Sequence, residues 1–309
     1  LSSRTVTIKL NNKENRALVV NGTLDVAETT GHFFSSISGT GRIRLAGDNC
    51  PTADDATGFM TEVQGGGTVE YYGQSRSLNN NRTYYNVEVN ISPNQVLTLK
   101  NDYTINGNLV VKNGTLRIND DSSTKSLTVS VKGDLNVLST GKIATGKGNV
   151  RHNFNLYGDF TNYGEARFTN RNVAIPSILA TDGIVDVNFL SGSKNQNALL
   201  AGVTNFYKIG IDKGVDHTYV LNLDATNPAY FNLFGCAIHN HGSELQLNSN
   251  NNALGLLRGT VRIGNYINIP VLSNVDNYTI SENAQLWIDG GTVSKNIGKP
   301  VVHLDQIYF

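Results

Sequence analysis

The chain has 309 residues and balances 25 Lys plus Arg against 25 Asp plus Glu, a formal net charge of zero. No face of such a chain need be basic enough to neutralise a phosphate backbone, which argues against nucleic acid as a partner. Its 39% hydrophobic content suffices for a buried core, while 31 glycines and the Asn runs at 79–81 and 250–252 favour turns and strands over helices.

Period-two alternation rich in β-branched residues predicts strands, in chain order, at 5–10, 16–20, 69–71, 86–89, 96–99, 127–131 and 185–187. Asn-Gly, Lys-Gly, Tyr-Gly and Asp-Gly pairs punctuate them, and no helical segment of about ten residues or more is expected. No apolar run approaches the ~20 residues of a membrane-spanning helix. The chain opens at Leu1 without a basic-then-apolar leader, which predicts a fragment of a longer polypeptide whose further domains lie beyond it.

One phrase returns along the chain. It reads Asn21-Gly22-Thr23-Leu24-Asp25-Val26, then Asn113-Gly114-Thr115-Leu116-Arg117-Ile118, then more loosely His241-Gly242-Ser243-Glu244-Leu245. A recurring strand-and-turn unit at irregular spacing predicts an all-β fold, a parallel β-helix (β-solenoid) with irregular loops at the coil corners, one elongated domain over 1–309. The crossover rule for parallel strands makes the expected coil right-handed. A longer internal similarity relates about 67–118 to 183–247, and the Pro/Asp-rich insert 47–58 is expected to form an irregular corner.

The stretch from Val185-Asp186-Val187-Asn188-Phe189 through Phe206-Tyr207-Lys208-Ile209-Gly210-Ile211, with Leu223-Asp224-Ala225-Thr226-Asn227-Pro228, resembles the repetitive β-helical surface proteins exported by Bacteroidota through the type 9 secretion system. The similarity covers roughly 15–295. It implies an extracellular, cell-surface setting and roles like those of adhesins and gliding-related surface proteins. A C-terminal sorting domain is not recognisable before Phe309.

β-Helices also carry polysaccharide lyases and glycosidases, which need acids and a base gathered around a sugar. The candidate acids are Asp54 and Asp55, Asp120 and Asp121, Asp212 with Asp216, and Asp224. Each lies beside turn residues, where Asp more often shapes the turn. His239-Asn240-His241 could present two imidazoles to one Zn²⁺, but no third ligand is near in sequence and a polar corner is the preferred reading. No cofactor or metal is assigned. Cys50 and Cys236 should lie several coils apart, too far for a disulfide, giving two free thiols with Cys236 buried in 234–238.

Aromatic doublets at Phe33-Phe34, Tyr71-Tyr72, Tyr84-Tyr85 and Phe206-Tyr207 should each place one ring inward and one outward. The outward rings Tyr72, Tyr85 and Tyr207, with Trp287, are the candidate surface-ligand aromatics. Stacked Asn side chains are expected to bond up and down the coil corners. The expected function is a non-catalytic stalk or adhesive shaft of a large bacterial cell-surface protein. Surface glycans, secretion components and further domains of the same chain are its expected partners. A polysaccharide-active enzyme is the alternative, and a passive secreted substrate without ligand a third reading.

Overall fold

Alternating apolar residues on a strand leave one face dry, and this chain closes that face by winding around it. The structure is a computed structural model and describes residues 16–61, 65–79, 82–122, 124–148, 150–173, 179–235, 253–269, 278–293 and 307–308. One coil contributes a strand to each of three sides: Asn86–Ile91 to the first, Val96–Leu99 to the second and Tyr103–Ile105 to the third. The next coil returns to the same sides at 109–111, 115–118 and Thr128–Val131, each strand parallel to its predecessor. The fold is therefore all-β, a parallel β-solenoid.

Register converts the sequence alternation into continuous columns. On the first side Leu24, Ile43, Val69, Val87, Leu109, Leu135, Phe160, Ala198, Leu223, Ile263 and Ile288 occupy one inward position in successive coils. Full burial of an aliphatic side chain in such a column contributes about 1.5–3 kcal/mol. Rings fill the interior between sides. Tyr84 stacks on Tyr103 at 6.2 Å in the N-terminal half, and Phe168 on Phe206 at 5.7 Å further along. The buried hydroxyls of Tyr71 and Tyr84 satisfy each other at 2.7 Å, and Tyr103 donates to the Leu78 carbonyl at 3.0 Å.

Coil length varies at the corners while the strands keep step. Corner hydrogen bonds link positions 22 residues apart (Asn86 to Asn108), then 26, then 25, and then 38 (Asp159 to Asn197). The long coil carries residues 168–183 between the second and third sides. Ile184–Phe189 is consequently buried along its whole length, on both faces.

The insert 47–58 is more ordered than an irregular corner. It holds the strand Thr52–Asp55, which pairs with Phe33–Ser38, and runs into a short helical turn, Thr57–Thr61. Phe59 of that turn is fully buried, and Gly67 leaves the room: a Cβ there would lie 2.0 Å from the Phe59 ring. The similar segments 67–118 and 183–247 do not occupy matching sides. Thr68–Gly73 lies on the first side and Ile184–Phe189 on the third, while Val96–Leu99 lies on the second and Val220–Ala225 on the first. The likeness is one of strand-and-corner units displaced by one side. Cys50 is a buried free thiol, which desolvation pushes up to about 12; Cys236 and the strand expected at 5–10 lie outside the described residues.

Candidate functional site

Residues on the outward face of the first side also fall into register, and at the N-terminal end they are charged. Asp25, Arg44, Glu70 and Glu88 take the same position in four successive coils. Arg44 Nη1 lies 2.9 Å from Asp25 and its Nε 3.2 Å from Glu70. Arg42, from the neighbouring position, reaches both Glu70 and Glu88 at 2.9 Å, and Lys112 approaches Glu88 at 3.5 Å. Tyr72 closes the group: its hydroxyl donates to Asp25 at 2.7 Å and the Arg44 guanidinium covers its ring at 4.2 Å.

Electrostatics decide what this cluster can do. Burial alone would raise the Glu70 carboxyl, but hydrogen bonds from Asn90 and Arg42 and the charges of Arg44 and Arg42 hold it below its ordinary range. A general acid needs the opposite shift. The arrangement therefore suits charge pairing across coils better than proton donation.

A second outward row on the same side lies two residues nearer the strand starts. Asn86 Oδ1 accepts from Asn108 N–H at 2.8 Å, Asn108 from Asp134 at 2.8 Å, Asp134 from Asp159 at 2.9 Å and Asp159 from Asn197 at 2.8 Å. Asn222 Nδ2 then donates to Asn197 Oδ1 at 3.0 Å. The expected corner ladder of stacked Asn side chains is present, with Asp taking part. Its members follow glycine in Gly107-Asn108, Gly133-Asp134 and Gly158-Asp159. The reason is steric: a Cβ on Gly107 would sit 2.3 Å from Asn86 Oδ1, and one on Gly133 2.3 Å from Asn108 Oδ1. The Gly-Asx pair is a sequence signal that the strand-and-turn reading passed over.

Further along, the row reaches an aromatic. Asn197, Asn222, Arg262 and Trp287 share one register position in four successive coils. Arg262 is pinned between Asp224 at 3.0 Å and Asp289 at 2.7 Å, and its guanidinium lies 5.7 Å from the Trp287 ring centroid. Trp287 is 40% exposed.

The third side holds a sealed polar cluster. Arg151 pairs with Asp186 at 2.7 Å, and Arg171 with Asp182 at 2.6 Å. Lys208 occupies the register position next to Asp186. Desolvation raises the Asp186 carboxyl and pushes Lys208 down to about 8. Both are buried, so these shifted groups face protein rather than a substrate path.

The four candidate aromatics are not brought together. Tyr72 is engaged by Asp25 and Arg44. Tyr85 is half-buried at a corner, where its hydroxyl accepts from Gly65 N–H at 3.1 Å. Tyr207 is not a surface residue: it is 1% exposed. It sits between the strands Val203–Phe206 and Lys208–Asp212, so alternation does not apply to it. Arg171 and Arg151 also lie over its ring, at 5.3 and 5.8 Å. Trp287 alone of the four combines an exposed ring with a register row.

Several of the candidate acids are engaged in turns and ion pairs. Asp55, Asp120 and Asp216 each accept the backbone N–H two residues ahead, at 3.0, 3.0 and 2.8 Å. Asp120 is also held down to about 2, chiefly by its hydrogen bond with Lys100. Asp212 pairs with Arg258. Among the described residues no group of three or more His, Cys, Asp or Glu could hold a metal ion, and no helix is long and apolar enough to cross a membrane. His239-Asn240-His241 lies outside the described residues. Comparison with protein-family models, curated proteins and solved structures gave no match.

Proposed function

We propose that this chain is a non-catalytic shaft, structural and adhesive, of a large bacterial cell-surface protein exported by a type 9 secretion system. The observation that carries the structural part is the ladder from Asn86 to Asn222, in which side chains on a long face bond one coil to the next. Such a face is committed to stacking and presents a rigid surface along its length. The cell-surface setting rests on the sequence resemblance. Weak contacts repeated along a rigid body add up through multivalency.

A polysaccharide-active enzyme is a second reading, favoured by the convergence of Asp25, Arg44, Glu70 and Glu88 from successive coils. One experiment separates the two: the purified chain is tested on a broad glycan panel for retention and, in parallel, for depolymerisation. Retention without cleavage supports the adhesive shaft. New reducing ends or unsaturated sugars favour the enzyme, and Glu70→Gln then reports whether the charged cluster is responsible. For the cellular setting, antibody labelling of intact cells of the source bacterium should detect the chain; labelling only after lysis counts against surface display.

A further inference from the structure

The C-terminal end of the first side differs from the rest of that face. The Asx ladder gives way there to a fixed cation and an exposed indole. We propose that Asn222, Arg262 and Trp287, with Asp224 and Asp289, form a binding site for a neutral, extended β-linked glycan chain lying along the solenoid axis. This deepens the adhesive reading and rests on it.

Three observations carry the inference. The first is chemical composition: a pyranose has an apolar C–H face and a rim of hydroxyls, and it is matched by an aromatic plate bordered by planar polar groups. Trp287 supplies the plate, 40% exposed. Asn222 offers an amide on the same row, and Asp224 and Asp289 offer carboxylate oxygens beside it.

The second is preorganisation. Arg262 is held from two directions, by Asp224 at 3.0 Å and Asp289 at 2.7 Å, and Asp224 also accepts from Asn265 N–H at 3.1 Å. Gly264 makes this possible, since a Cβ there would lie 1.8 Å from Asp224 Oδ1. The polar rim is therefore fixed before a ligand arrives, which lowers the ordering cost of binding.

The third is periodicity and charge. Asn197, Asn222, Arg262 and Trp287 recur once per coil, and Tyr308 takes the next register position beyond Trp287. Coils rise by ~4.8 Å, close to the repeat of an extended β-linked pyranose chain, so successive sugars meet successive coils. Arg262 stands between two carboxylates, Asp224 and Asp289, so acid outnumbers base at the site. That field disfavours uronate or sulfated chains and selects a neutral one.

Trp287 is the single tryptophan of the chain, so its fluorescence reports on this site alone. The intact chain is titrated with neutral β-linked oligosaccharides (cello-, xylo- and chito-series) and with anionic ones (oligo-uronates and heparin fragments). Calorimetry is run in parallel on wild type, Trp287→Ala, Trp287→Phe and Tyr163→Ala. The expected result is a saturable spectral shift with a neutral series. Affinity should fall on the order of tenfold in Trp287→Ala, fall less in Trp287→Phe and hold in the control Tyr163→Ala, which removes an exposed ring away from the charged cluster. Binding that leaves the fluorescence and the Trp287→Ala affinity unaffected overturns this site but keeps the adhesive reading. Preference for anionic chains overturns it as well. No binding to any member by the intact chain removes both the site and the glycan-adhesive role.

Discussion

Arg42 bridges two carboxylates that stand directly opposite each other on neighbouring coils: its Nη1 lies 2.9 Å from Glu70 and 2.9 Å from Glu88. Like charges in opposed strand positions are destabilising unless something stands between them. Arg42→Ala removes that bridge and leaves Arg44 and Lys112 to serve the pair. The expected loss is about 1–2 kcal/mol at pH 7, discounted for the part-exposed guanidinium. At low pH, where even the depressed Glu70 carboxyl protonates, the loss should shrink. Urea denaturation of both proteins at the two pH values checks this, and an equal loss at both would contradict the bridging role.

The Gly-Asx corner makes a sharper steric prediction. A Cβ on Gly133 would lie 2.3 Å from Asn108 Oδ1 and 2.6 Å from the Gly107 backbone, whereas one on Gly22 would meet nothing within 4 Å. Gly133→Ala should therefore cost about 1–3 kcal/mol through forced displacement. Gly22→Ala should stay within about 0.5 kcal/mol of wild type. Thermal midpoints of the two variants test the contrast directly.

His152 is a buried neutral imidazole. Leu127 N–H donates to its Nδ1 at 3.0 Å, so the proton sits on Nε2 and needs an acceptor. Asn119 Nδ2 stands 2.9 Å from that Nε2, donor against donor, so the amide must be turned over to present Oδ1, which is otherwise an unpaired buried atom. Desolvation pushes His152 down to about 4 from 6.5. The unfolded chain protonates first as pH falls, so the stabilisation is complete above pH 6.5 and is lost progressively toward pH 4, about 3 kcal/mol in all. His152→Gln should flatten that part of the stability profile between pH 6.5 and 4.5, measured by chemical denaturation. An unchanged slope would show that other groups set it.

Lys213 is an internal latch without a carboxylate partner among the described residues. It is buried, and its Nζ donates to the carbonyls of Ser191 and Lys194 at 3.3 and 3.0 Å and to Gln196 Oε1 at 2.7 Å. Gln196 in turn accepts from Ser191 N–H at 3.3 Å and donates to Gly158 O at 2.6 Å. Lys213→Met keeps the length and removes the donors. Stranding these acceptors should cost about 2–4 kcal/mol and speed amide exchange at 191–196 while leaving 86–111 protected. Uniform loss of protection would mean that the lysine supports the whole stack rather than this loop.

Much of the fold could be read from alternation. The expected strand 96–99 coincides with Val96–Leu99, and 127–131 and 185–187 fall within one or two residues of Thr128–Val131 and Ile184–Phe189. Register is what alternation cannot carry. Glu70 and Glu88 give no hint in sequence of facing each other, because the length of the whole coil between them sets the pairing. Phe206-Tyr207 misled for a related reason: the pair straddles a corner, so both rings are buried. The likeness of 67–118 to 183–247 carries no information on which side of the coil each strand joins. Trp287 was recognisable as a candidate, but its neighbours Asn222 and Arg262 come from 65 and 25 residues earlier (287 − 222 and 287 − 262) and meet it only through coil register.

The Asx ladder has a direction. In every backbone-linked rung the side-chain oxygen belongs to the earlier coil and the N–H to the later one: Asn86 to Asn108, Asn108 to Asp134, Asp134 to Asp159, Asp159 to Asn197. A stack completed as far as one rung thus exposes a ready acceptor for the coil that follows it and asks nothing further of the coil before. The ladder therefore gives the stack a polarity, with each rung's acceptor earlier in the chain than its donor.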